Sequence, residues 1–123
     1  MSLVAVPSRS PDNFTLVVRS STGITASWQL PPVHARNGII RGFKLFYKKK
    51  GFIDPPITLT IRNSTSRYAL VTGLNVYTEY EFQILAFTSV GDGLNSSLEV
   101  KRTAEEGKRS GVSELNVSIN SKV

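Results

Sequence analysis

Seven short runs in this 123-residue chain alternate apolar and polar residues with a period of two. Successive strand side chains point to opposite faces, so that period marks strands with one face buried. Phe14, Leu16 and Val18 form the first run, Ile24, Ala26, Trp28 and Leu30 the second, and Phe43, Leu45 and Tyr47 the third. Ile57, Leu59 and Ile61 follow, then Arg67 to Val71, then Tyr80, Phe82, Ile84 and Ala86, and last Leu98 with Val100. Ser20-Ser21-Thr22-Gly23, Asn37-Gly38, Gly51 with Pro55-Pro56, Asn63-Ser64-Thr65 and Gly91-Asp92-Gly93 fall between the runs. These residues supply turn chemistry and positions for positive φ. No window keeps a helical period over three turns. The expected fold is all-β, a seven-stranded antiparallel sandwich.

Composition removes most catalytic chemistries. The chain has no Cys and one His, His34, which excludes a disulfide scaffold, a zinc ribbon, thiol catalysis and a multi-histidine metal site. Its paired acids, Glu105-Glu106, follow the last strand, and Glu79 and Glu81 share a strand without a convergent cleft, so no acid–base pair is expected. Neither a GxGxxG nor a P-loop is present, and no cofactor is implied. The net charge of +6 is unevenly placed: +8 from Met1 to Thr78 and −2 from Glu79 onward. Basic charge without stacking motifs is a poor indicator of nucleic acid, which is not expected as a partner.

The motifs between and within the strands resemble those of fibronectin type III domains. Trp28-Gln29-Leu30-Pro31-Pro32 is similar to that family's tryptophan followed by a proline pair, and Gly38 to Tyr47 resembles its G-x-I-x-G-[FY]-x-[VL]-x-Y strand. Gly73-Leu74-Asn75-Val76-Tyr77-Thr78-Glu79-Tyr80-Glu81-Phe82 resembles its G-L-x-P-x-T-x-Y-x-F signature, with Val76 in the place of proline. Ala86 to Ser96 resembles its closing A-x-N-x-x-G-x-G-x-x-S, with Thr88 in the place of asparagine. The resemblance implies an immunoglobulin-like sandwich over residues 11–104, with 1–10 as an N-terminal flank and 105–123 as a linker or the start of a following segment. It also implies structural roles for Trp28, Tyr47, Leu74 and Tyr80, the last tying the crossover between sheets to upstream backbone. The tail run Leu115, Val117, Ile119 is read as a frayed end, an edge strand or the start of a neighbour.

The compartment and the working surface follow from two further patterns. Asn13, Asn63, Asn95 and Asn116 each open an N-x-[ST] sequon. Four of seven Asn residues carry one, where chance gives about 1.4. A glycosylated extracellular module of a larger protein is therefore expected, and the family resemblance implies a membrane-anchored, multidomain adhesion receptor with immunoglobulin-like or fibronectin type III neighbours. A parent of this kind sometimes carries a cytoplasmic tyrosine phosphatase. The alternative is an intracellular sarcomere-like scaffold domain with accidental sequons. Placing Phe43, Leu45 and Tyr47 inward turns Lys44, Lys48 and Lys50 outward beside Arg62, flanked by Arg41 and Lys49. This stripe is a candidate site for an anionic partner such as heparan sulfate. The same face is expected to expose Phe46, Leu85 and Phe87 as an apolar patch for a protein partner.

Overall fold

The structure is a computed structural model that describes residues 4–106. Seven strands form: β1 (Asp12–Ser20), β2 (Gly23–Gln29), β3 (Gly42–Lys49), β4 (Ile57–Ile61), β5 (Tyr68–Val71), β6 (Glu79–Phe87) and β7 (Glu99–Arg102). A 3-10 turn, Val33–Ala35, follows the proline pair. The strands build two antiparallel sheets, ordered β1-β2-β5 and β4-β3-β6-β7.

In β1, β2, β3 and β6 the inner faces are those the alternation marks, whereas Ile57, Leu98 and Val100 of the fourth and seventh runs are exposed, because those runs lie at the edges of the larger sheet. Leu16 lies opposite Ala26, and Ile24 opposite Val71, in the smaller sheet. Phe43 lies opposite Ala86, and Leu45 opposite Ile84, in the larger one. Trp28, only 1% exposed, reaches across the gap to Phe43, with ring centroids 5.4 Å apart and planes tilted by 55°. That offset geometry suits the ring quadrupoles. The indole Nε1–H is buried with no acceptor among the described residues, so packing rather than hydrogen bonding holds Trp28. Tyr47 stacks on Phe82 toward the far end of the same layer.

The two ends of the sandwich are closed differently. At the end where β3 begins, the flank Val4–Ser10 runs as a strap across the loops. Ala5 N–H donates to the Asn37 carbonyl (2.7 Å), Ser8 N–H to the Ala35 carbonyl (2.8 Å) and the Thr88 hydroxyl to the Ala5 carbonyl (2.7 Å). Thr88, standing where the family pattern has asparagine, thus anchors the strap to the loop after β6. Pro7, within the strap, is fully buried, and a Cβ on Gly93 would meet the Pro7 carbonyl and Cβ at 2.9 and 2.7 Å. At the opposite end the chain leaves through β7. Tyr77 N–H donates to the Ala104 carbonyl and Ala104 N–H to the Ser20 carbonyl. Tyr77 adopts φ +50°, uncommon for an aromatic residue, and its ring lies 4.7 Å from the Arg102 guanidinium.

Beneath that exit the Tyr80 hydroxyl accepts from Asn75 N–H at 2.7 Å, spanning the crossover from β5 to β6. The Thr103 hydroxyl fastens the same turn to the end of β7, donating to the Asn75 carbonyl (2.7 Å) and accepting from Thr78 N–H (2.9 Å).

Candidate functional site

Strand β3 carries the cations, and its partners decide what they can do. In the β3–β6 register Lys48 lies directly opposite Glu81, and the two form an ion pair at 3.3 Å. Lys50 approaches Glu79 at 3.7 Å, and Glu79 also meets Arg102 at 3.5 Å. Lys44 pairs with Asp92 at 3.0 Å, drawn in from the loop after β6. The acidic second half of the sequence therefore folds back onto the basic first half. Asp92, Glu79 and Glu81 were not legible as partners of the lysines, because only the register brings them together. Exposed pairs of this kind contribute little stability individually, yet they neutralise three of the six cations in the candidate stripe.

The other three separate. Lys49 has the inward parity of Tyr47, and its ammonium lies 5.3 Å from the Phe52 ring at the exit end. Arg41 and Arg62 lie at the opposite end, around Phe87. The Arg62 guanidinium is 6.0 Å and the Lys44 ammonium 5.9 Å from the Phe87 ring, and Arg41 N–H donates to the Phe87 carbonyl at 2.8 Å. The stripe thus resolves into Lys44 and Arg62 meeting at the Phe87 ring, with one carboxylate, Asp92, and the Arg41 backbone beside them, and a separate Lys49 at the exit end.

The expected apolar patch is not exposed. Leu85 and Phe87 are only 4% and 9% exposed, and Phe46 alone is partly open. The return segment explains the difference. Asp92 bridges to Phe87, Gly93 N–H donates to the Ala86 carbonyl and Ser96 N–H to the Ile84 carbonyl, so the chain folds back along β6. Phe87 also packs onto Gly42, where an added Cβ would meet Cζ of the ring at 2.8 Å. Ile84 to Phe87 are consequently buried on both faces.

The sequons within the described residues all present their Asn at the surface. Asn13 is exposed near the start of β1 with φ +54°. Asn63 follows β4, its Oδ1 accepting from Thr65 N–H at 3.0 Å and from the Thr65 hydroxyl at 2.6 Å. Asn95 is exposed on the return segment. Asn116 and the Leu115–Ile119 run lie outside the described residues. Among the described residues no three His, Cys, Asp or Glu side chains group as metal ligands.

An aspect absent from the sequence reading lies at the exit end. Tyr47, Lys49, Phe52, Ile57, Leu74 and Tyr80 line a cavity of about 410 Å³ between the β3–β4 loop and the turn before β6. Burial, reinforced by neighbouring Tyr80, pushes the Tyr47 phenol above its ordinary value, so it stays protonated at neutral pH.

Two antiparallel sheets packed on a shared apolar core define an all-β sandwich. The chain belongs to the fibronectin type III family, whose model, the fibronectin type III domain, matches residues 9–103. It is 40% identical over 93 residues to chicken (Gallus gallus) protein sidekick-1, covering 76% of this chain and 4% of that protein. It is 41% identical over 101 residues to the tyrosine-protein phosphatase Lar of Drosophila melanogaster, covering 82% and 5%. To the cell adhesion molecule DSCAM of Rattus norvegicus it is 36% identical over 106 residues, covering 85% and 5%. The chain therefore spans only 4–5% of the length of these relatives. The solved FN5 domain of Drosophila Lar superposes with a TM-score of 0.64 at 31% identity, covering 80% of this chain and 98% of that one. The chicken CNTN1 FN1–FN3 structure gives 0.70 at 21% identity, covering 80% and 31%, and shares the fold.

Proposed function

We propose that this chain is a non-catalytic recognition and spacer module in the extracellular part of a membrane-anchored adhesion or signalling receptor, with immunoglobulin-like or fibronectin type III neighbours. The observation that carries this reading is its similarity to short segments of much longer relatives, DSCAM among them, which is named a cell adhesion molecule. The geometry suits a spacer. The strap enters beside Asn37 at one end, and the chain leaves beside Ser20 at the other. Nine-residue strands such as β1 and β6 span ~30 Å at ~3.3 Å per residue, so each such module would advance a tandem array by about that length. Three exposed sequon asparagines support an extracellular setting. Secretion of the 123-residue chain behind a signal sequence, followed by glycosidase treatment, tests this. A mass loss traced to Asn13, Asn63 or Asn95 is expected, and a chain secreted without glycan at all three would count against the reading.

A second, narrower reading concerns a sulfated glycan such as heparan sulfate. It is favoured by Lys44 and Arg62, which meet at the Phe87 ring with one carboxylate, Asp92, beside exposed Arg41. Charge reversal at Arg41 and Arg62 is expected to lower the salt needed to elute the protein from heparin. Unchanged elution would remove this reading.

A further inference from the structure

The cavity at the exit end coincides with the most exposed apolar surface of the β3–β4 loop. Ile53 is 99% exposed, and Phe52 and Ile57, which line the cavity, are 52% and 55% exposed. An isolated exposed aliphatic residue needs no explanation, but a cluster flanking a cavity does. The loop is also held in place. Lys48 Nζ donates to the Phe52 carbonyl, Phe52 N–H closes a turn on the Lys49 carbonyl at 3.2 Å, and Pro55-Pro56 restrict the return. A loop held in this way presents its apolar side chains at little ordering cost on binding.

Charge distinguishes this pole further. Lys48 and Lys50 are ion-paired, whereas Lys49 forms no ion pair among the described residues and lies over Phe52 at the cavity. Asp54 is the one carboxylate that lines the cavity. The sequons of the described residues are all elsewhere. Asn13 neighbours the end of β2, Asn63 follows the end of β4, and Asn95 lies alongside the second half of β6. All three are toward the end where β3 begins, away from the cavity.

We propose that this pole docks an extended segment of a protein partner in which an apolar side chain, seated in the cavity, adjoins a carboxylate held by Lys49. A small free ligand is a poorer occupant, because it would fill the cavity and leave Ile53 uncovered outside it. The proposal rests on the recognition-module reading but not on glycosylation as such.

The test is an NMR titration of the 123-residue chain with acetyl-Glu-Leu-Phe-Glu-amide, its double glutamine analogue and its double lysine analogue. It is run on bacterial protein and on secreted protein. Shifts at Tyr47, Phe52 and Leu74 are expected in both preparations, with the glutamate peptide binding about tenfold more tightly than the glutamine one, as for one charge-assisted contact. Lys49→Gln is expected to abolish that preference. Ile53→Ser is expected to weaken all three peptides while keeping the wild-type urea midpoint, since the side chain is already in water. No shift at the cavity, equal affinity for the three peptides, or tighter binding of the lysine peptide through Asp54 would overturn the proposal. Binding by bacterial protein alone would overturn the claim that glycans leave this pole open. Secreted protein that binds the peptide yet carries no glycan would sustain the docking site and count against the extracellular reading instead.

Discussion

Replacing Tyr80 by Phe removes one oxygen and leaves the buried ring in place, so it isolates the tie across the β5–β6 crossover. The lost contacts are the 2.7 Å bond from Asn75 N–H and the longer 3.3 Å bond to Asn75 Oδ1. Leaving a buried donor unpaired costs about 1–3 kcal/mol. Asn75 is exposed, so water can recover part of that loss and its side-chain oxygen hydrates freely. The expected destabilisation is therefore about 1–1.5 kcal/mol, or roughly 4–12 °C in Tm for a domain of this size. Urea titration checks it, with the m-value unchanged because the surface exposed on unfolding is the same. Thr103→Val supplies the companion measurement, since its hydroxyl binds the same turn at the Asn75 carbonyl. Two ties sharing Asn75 should couple, with a double-mutant term above ~0.5 kcal/mol. A Tyr80→Phe effect below ~0.3 kcal/mol, combined with strict additivity, would show that the turn holds without the hydroxyl and refute the reasoning.

Other perturbations probe the rest of the sandwich. Trp28→Ala empties the space facing Phe43 and should destabilise by about 3–5 kcal/mol, read in the same titration. Gly42→Ala drives a Cβ into the Ile61 carbonyl and to within 2.8 Å of the Phe87 ring. It is expected to lose about 1–3 kcal/mol, with hydrogen exchange accelerating first along β4. The Tyr47 phenol is raised above 10.0 by burial and by Tyr80. In strong base the unfolded chain therefore gives up this proton first, and stability attributable to Tyr47 is intact below pH 10 and falls as pH rises beyond it. Ultraviolet titration should show a tyrosine component that ionises above pH 10, and Tyr47→Phe should remove it.

Much of the fold was readable from alternation because burying one face of a strand leaves a period of two in the chain itself. The inner residues Leu16, Ile24, Ala26, Trp28, Phe43, Leu45, Phe82 and Ile84 are all buried, as their parity requires. Parity failed where both faces are covered. Leu85 and Phe87 lie on the outer side of β6, yet the return segment from Asp92 to Ser96 and the side chains of Lys44 and Arg62 cover that side. Alternation marks which side of a strand a residue occupies, and it carries no record of an irregular segment that folds back over it.

Charge shows the same division more sharply. The sequence by itself determined the strand content, the turn positions, the placement of the indole at residue 28 and the absence of thiol or multi-histidine chemistry. Those follow from side-chain type and local spacing. The tertiary structure alone decided that Lys44, Lys48 and Lys50 meet Asp92, Glu81 and Glu79, that Lys49 does not join them, and that a cavity opens beside it. Each depends on antiparallel register and loop geometry, which place residues distant in sequence within a few ångströms. A shift of one residue along β6 would turn Glu81 to the opposite face and abolish the Lys48 pair without altering the composition at all.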